Sequence, residues 1–101
     1  MRALVIEPDA EAELETAALR YEASVPGLGG RFLDEMRDRV RDVLEAPLGF
    51  PLFGEADDVR CAHAVGRFPH MVIFLVSDDL VHVLAFMHPR RRPGYWARRV
   101  P

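Results

Sequence analysis

Residues 71–87 read Met-Val-Ile-Phe-Leu-Val-Ser-Asp-Asp-Leu-Val-His-Val-Leu-Ala-Phe-Met. Two apolar runs, Met71–Val76 and Leu80–Met87, flank the polar break Ser77-Asp78-Asp79. Strand-length runs around a short turn signal predict a β-hairpin. Their hydrophobicity is nearly continuous rather than alternating, which predicts central strands covered on at least one face. Just upstream the apolar period is two. Val59, Cys61, His63 and Val65 face one way and Arg60, Ala62 and Ala64 the other, before Gly66-Arg67-Phe68-Pro69 turns the chain. The second half of the molecule therefore reads as three consecutive strands.

The first half reads differently. Ala3-Leu4-Val5-Ile6 is an apolar run that Pro8 cuts off, too short for a buried helix, and it predicts a strand. Asp9, Glu11, Glu13 and Glu15 crowd the start of a helix, where negative charge complements the helix dipole. Ala10, Leu14, Ala17, Ala18, Tyr21 and Val25 then make one helical stripe. Pro26-Gly27-Leu28-Gly29-Gly30 is expected to break that helix, and Phe32, Leu33, Met36, Val40, Val43 and Leu44 form a second stripe ending before Pro47. On its polar side Glu35/Arg39 and Arg41/Glu45 stand at pairing distance along the helix. Residues 46–58 are a loop in which Leu48, Phe50, Leu52 and Phe53 are expected to pin the chain to the edge of the core. The order strand, helix, helix, three strands predicts an α+β fold. An antiparallel helical hairpin packs on one face of a mainly antiparallel four-stranded sheet, and the opposite face is left partly open.

Composition bounds the rest. The 101 residues form one domain, 1–101, with a basic tail at 88–101. No apolar stretch of about 20 residues exists, so no membrane span is expected. The N-terminus lacks the pattern of a secretory signal, and the single cysteine, Cys61, excludes an internal disulfide, so a cytoplasmic location is expected. All 13 basic residues are arginines, so no lysine amine is available as acid, base or nucleophile. The net charge of −3 hides an asymmetry: residues 1–87 hold eight arginines against sixteen acids, whereas residues 88–101 hold five arginines and no acid. A basic tail on an acidic body is suited to an anionic partner; the plainer reading is a solvated end.

Taken in order, the pieces resemble the RelE/ParE superfamily of bacterial toxin–antitoxin toxins, the plasmid-stabilisation type. The carriers are Glu13-Leu14 and Tyr21-Glu22 on the first helix, then Pro26-Gly27-Leu28-Gly29 with Arg31-Phe32-Leu33. Phe68-Pro69-His70, the Asp78-Asp79 turn, Val83-Leu84-Ala85 running into His88, and Arg91-Arg92-Pro93-Gly94-Tyr95-Trp96 follow. The resemblance covers nearly the whole chain. It implies a growth inhibitor neutralised by a cognate antitoxin, often as a heterotetramer of two toxins and two antitoxins. It also implies one of two targets: DNA gyrase, poisoned by binding as in the ParE branch, or messenger RNA on the ribosome, cut as in the RelE branch. A non-toxic module that only pairs with an antitoxin is the third possibility. Fold membership does not decide among them.

RNA cleavage by a 2′-hydroxyl without a metal needs a base, an acid and cations for the phosphorane. His88, at the end of the last strand, is the acid–base candidate, since ribonuclease members often place such groups there; the plainer reading is a histidine capping the turn before Pro89. Arg67 and Arg91 are the cationic catalytic candidates. Arg60, Arg90 and Arg92, with Tyr95 and Trp96 as stacking rings, are the candidates for nucleic-acid or partner binding. Against these stand pairing of Arg60 and Arg67 with Asp57 or Asp58, and packing of Tyr95 and Trp96 onto the body. His82 reads as a face or core residue, and His63 and His70 lack partners at ligand spacing, so neither metal nor cofactor is expected.

The sequence departs from the ribonuclease pattern. Well-studied ribonuclease members are strongly basic, while here Met71 stands about where such an enzyme has a catalytic arginine. On the second helix Arg37, Arg39 and Arg41 are balanced by Asp34, Glu35, Asp38 and Asp42. An acidic body gains little from the electrostatics of ribosome binding, which favours the gyrase-directed reading.

Overall fold

The computed structural model describes residues 2–54 and 58–101. Strand β1 (Ala3–Ile6) leads into helix α1 (Pro8–Ser24), helix α2 (Leu28–Glu45), and strands β2 (Val59–His63), β3 (Met71–Val76) and β4 (Leu80–Met87). Short 3-10 turns lie at Pro47–Gly49 and Ala97–Arg99. The sheet order is β1-β4-β3-β2. The hairpin strands β3 and β4 are the central pair, as their continuous hydrophobicity predicts. β2–β3 and β3–β4 are antiparallel, and β1 adds to β4 in parallel, so the sheet is mixed.

α1 starts at Pro8, whose missing N–H costs nothing in a first turn and whose ring presets the helical φ. The break between the helices is tighter than the five-residue stretch 26–30 suggests. Gly27 takes φ +87, a left-handed value that glycine accepts freely, and α2 begins at once with Leu28, so Gly29 and Gly30 are helical. Glu22, from the end of α1, accepts from the N–H groups of Gly27 (2.9 Å) and Gly29 (3.1 Å). It thereby satisfies donors that the first turn of α2 would leave open and places negative charge at that helix's positive end. The polar face of α2 also differs from expectation. Its ion pairs are Arg39–Asp42 and Arg41–Asp38, both 3.1 Å at i,i+3, rather than the i,i+4 pairs. Arg39 is drawn toward the sheet, donating through Nε to the His63 carbonyl (2.7 Å) and lying over the Phe50 ring.

The helical stripes meet the sheet in one cluster: Ala10, Leu14 and Ala18 from α1, Phe32, Met36, Val40 and Val43 from α2, and Ala62, Val72, Phe74, Val81, Val83 and Phe86 from the strands. Burying a side chain such as Phe32 contributes about 1.5–3 kcal/mol. The opposite face is more covered than the sequence suggests. Val59, Cys61, Met71, Ile73, Leu84, Ala85 and Met87 pack beneath Tyr95 and Trp96 of the tail, with Phe53 alongside. The chain that follows β4 thus turns back to close the sheet. In the loop before β2, Phe50 and Phe53 are partly buried and pin the chain as expected, whereas Leu48 and Leu52 are exposed.

A β-bulge links the sheet to the tail. Ile73 pairs with Ala85 and Phe74 with Val83, so Leu84 is left without a register partner. Two consecutive residues, Leu84 and Ala85, then face the tail side, and the Leu84 carbonyl is free to accept from Arg99 at 2.9 Å. Among the described residues no helix is long and apolar enough to cross a membrane.

Candidate functional site

Where α1 passes the end of β4 and the returning tail, an open groove of about 450 Å³ forms. Thr16, Ala17 and Arg20 give one wall, His70 and Phe86 the floor, and His88, Arg91 and Arg99 the other wall. Asp9 and Glu13 stand among them. Helical spacing puts Asp9, Glu13, Thr16 and Arg20 on one side of α1, so the residues that crowd the helix start also furnish the site.

Glu13 is the centre of this site. Its Oε2 accepts from the Tyr95 phenol at 2.5 Å, and its Oε1 accepts from Arg99 at 2.9 Å and from the Phe86 N–H at 3.3 Å. Arg91 approaches Oε2 to 3.9 Å while its guanidinium stacks 4.0 Å above the Tyr95 ring. Arg99 also lies 3.7 Å from Asp9. Burial, with the Glu13 carboxylate as hydrogen-bond partner and neighbouring charge, holds the Tyr95 phenol well above its ordinary range, against the opposing pull of Arg91 and Arg99. Tyr95 is therefore a fixed donor, not a base.

The two histidines of the groove have different jobs. His70 is buried, its ring 4.8 Å from Phe32 and 6.0 Å from Tyr21. Burial, helped by the neighbouring His88, pushes it down to about 4, so it is neutral at ordinary pH, and its Nδ1 has no partner among the described residues. His88, with its ring 5.1 Å from that of His70, accepts from the Arg90 N–H through Nδ1 at 3.0 Å. That bond engages the Nδ1 lone pair and leaves Nε2 as the ring nitrogen not used by the turn.

Of the residues singled out by sequence, His88 and Arg91 come together in the groove. The geometry of His88 is that of the turn cap before Pro89. Arg67 lies exposed on the turn between β2 and β3, outside the groove lining. Arg60 donates to the Phe50 carbonyl at 2.6 Å and so pins the preceding loop. Asp57, one of its expected partners, lies outside the described residues. Arg90 and Arg92 are exposed beside the groove. The stacking role expected of Tyr95 and Trp96 is corrected by their burial, 9% and 4% exposed: neither ring offers a face to a base, and both anchor the tail. His82 lies 3.4 Å from Glu7, too poorly aligned for a hydrogen bond, and reads as a face residue of β4. Sequence reading missed Glu13, Arg99, Arg20 and His70. Glu13 stood in the acidic first half of α1 and among the residues that carry the resemblance, but neither marked it as a site residue, and nothing local marked Arg99.

The fold is one already seen in a solved structure. It matches a chain of the solved structure "Chromosomal ParDE TA system from P. aeruginosa" with a TM-score of 0.77, at 19% sequence identity, over 87% of this chain and 96% of that one. No family model matches the sequence, and no curated protein matches it.

Proposed function

We propose that the protein is the toxin of a type II toxin–antitoxin pair, a cytoplasmic growth inhibitor held in check by a cognate antitoxin, and that it acts by binding DNA gyrase. The fold, shared over most of both chains with a chain of a ParDE TA system, supports the first part. One observation carries the choice of target. The most enclosed cation of the groove, Arg99, is bound by Glu13 at 2.9 Å and faces Asp9 at 3.7 Å, so it is already neutralised by the protein's own carboxylates. A metal-free ribonuclease needs free cations around the phosphorane and a base with an open lone pair. Here Arg99 is neutralised, and the Nδ1 of His88 accepts from Arg90. A binding inhibitor requires neither.

The ribonuclease reading retains one observation of its own, that His88 and Arg91 line the same groove. Inducible expression with and without the antitoxin gene, followed by separate measurement of message integrity and of gyrase supercoiling by purified protein, decides between the two. Lost supercoiling with intact message is the expected result. Cleaved message with normal supercoiling assigns the RelE-type activity, and absence of growth arrest leaves only a module that pairs with its antitoxin.

A further inference from the structure

Three donors meet the Glu13 carboxylate, and all come from β4 or the tail: the Phe86 N–H, the Tyr95 phenol and the Arg99 guanidinium. Only the acceptor comes from α1. Without that one side chain, what remains is a preformed cradle. It has a backbone N–H, a phenol that burial keeps protonated, a guanidinium fixed by the Leu84 carbonyl at 2.9 Å, and a second guanidinium, Arg91, held over the phenol ring. Such a convergence of donors is how proteins hold an external anion. The cradle is not sealed. Glu13, Arg91 and Arg99 all line the open groove, and Arg91 keeps 53% of its side chain exposed. Arg20, another cation, lines the same groove.

We propose that this cradle is a carboxylate-recognition site that Glu13 fills in the free protein, and that an acidic side chain of a protein partner takes the place of Glu13 on Arg91, Arg99 and Tyr95. The geometry favours a carboxylate over a phosphate. The donors are arranged for two oxygens, with Arg99 and the Phe86 N–H on one and the phenol on the other, and Arg91 lies nearest the second. Asp9, 3.7 Å from Arg99, opposes the higher charge of a phosphate. Exchanging one carboxylate for another leaves the charge balance of the tail unchanged, so the tail stays docked while its arginines become part of an interface. The proposal rests on the reading of the arginine tail as a partner-facing surface.

The test uses the full chain and needs neither target nor toxicity, so it can fail while the toxin assignment stands. Glu13→Ala and Glu13→Gln are compared with wild type by thermal midpoint and Trp96 fluorescence, in acetate or in inorganic phosphate at matched ionic strength. Glu13→Ala is expected to bind acetate at least about tenfold more tightly than wild type, the scale of a charge-assisted hydrogen bond, with recovery of midpoint and of Trp96 emission. Glu13→Gln, whose amide still fills the cradle, is expected to gain no acetate response. A folded Glu13→Ala that ignores acetate overturns the proposal, and so does one that prefers phosphate, which would indicate a nucleic-acid backbone instead. The exchange itself is read in wild type by titrating labelled protein with hexaglutamate. The Arg91 and Arg99 Nε–H signals and the Phe86 amide are expected to move together; if they stay still at saturation, the site does not exchange. This arm decides the matter even if Glu13→Ala fails to fold.

Discussion

Ala18 and Gly29 bring the two helices into backbone contact: a Cβ built on Gly29 would lie 2.5 Å from the Ala18 carbonyl oxygen. That oxygen belongs to a helix backbone and cannot swing aside, so only glycine fits. Gly30, one residue on, is exposed and would place its Cβ in open space. Neighbouring glycines in one helix therefore have opposite reasons to exist. Gly29→Ala is expected to destabilise the protein by about 1–3 kcal/mol through overpacking. Gly30→Ala is expected to stabilise it by about 0.4–1 kcal/mol by restricting the unfolded chain. Urea unfolding midpoints should move in opposite directions. A common direction would show that the helix crossing does not depend on Gly29.

Tyr95 makes alkaline stability a second test. Its pKa is raised in the folded protein above the ordinary value of 10.0, with burial the largest cause. Below pH 10 both states keep the phenol protonated and its contribution is fully present. Above that the unfolded chain releases the proton first, so stability declines as pH rises. Tyr95→Phe should cost about 1.5–3 kcal/mol near neutrality, the worth of a hydrogen bond to a charged group. It should also flatten the decline between pH 10 and 11. The check is a pair of unfolding curves across that range; parallel curves for the two proteins would place the alkaline loss elsewhere.

His70 gives the mirror image at acid pH. Burial and the neighbouring His88 lower it from 6.5 to about 4 in the folded state. Above pH 6.5 both states are neutral and its contribution is complete. As pH falls from 6.5 toward 4 the unfolded chain takes up the proton and the folded chain does not, so stability drops, by up to about 3 kcal/mol. His70→Phe, which keeps a ring against Phe32 and Tyr21 but cannot titrate, should lose less stability than wild type between pH 6.5 and 4. NMR titration of the His70 ring supplies the direct measurement, and a midpoint near 6.5 would contradict the burial argument.

These tests also show what the residues reveal before folding. The stripes of α1 and α2 and the hairpin of β3 and β4 follow from local periodicity, because each element must bury its own apolar side. The faces of the central strands are harder to read, since both are apolar. The bulge that sets Leu84 and Ala85 on one side leaves no local mark. The tail was legible as basic, and its packing onto the body as one reading of Tyr95 and Trp96, but not which residues it covers, because Trp96 finds its cover on strands distant in sequence. Glu13 and Arg99 are 86 residues apart, so their bond has no local signature. Gly29 and Gly30 read as a break, since propensity counts glycine against a helix and cannot see the crossing that requires one of them.

His88 carries the last prediction, because it separates the two targets at one residue. Its Nδ1 accepts from the Arg90 N–H at 3.0 Å, at an exposed turn. Removing the ring exposes that N–H to water rather than burying it unpaired, so His88→Ala should cost at most about 1 kcal/mol and leave the tail docked. If the protein acts by binding gyrase, as proposed above, growth arrest on induction should persist in His88→Ala at equal protein level, and supercoiling should still be lost. If the groove cuts RNA, His88 is its acid–base candidate, and the same substitution should lower cleavage by about 10²–10⁴-fold, the usual contribution of such a group. Toxicity scored beside a thermal midpoint keeps the outcomes distinct: a stable, non-toxic His88→Ala would refute the binding mechanism and move the chemistry into the groove.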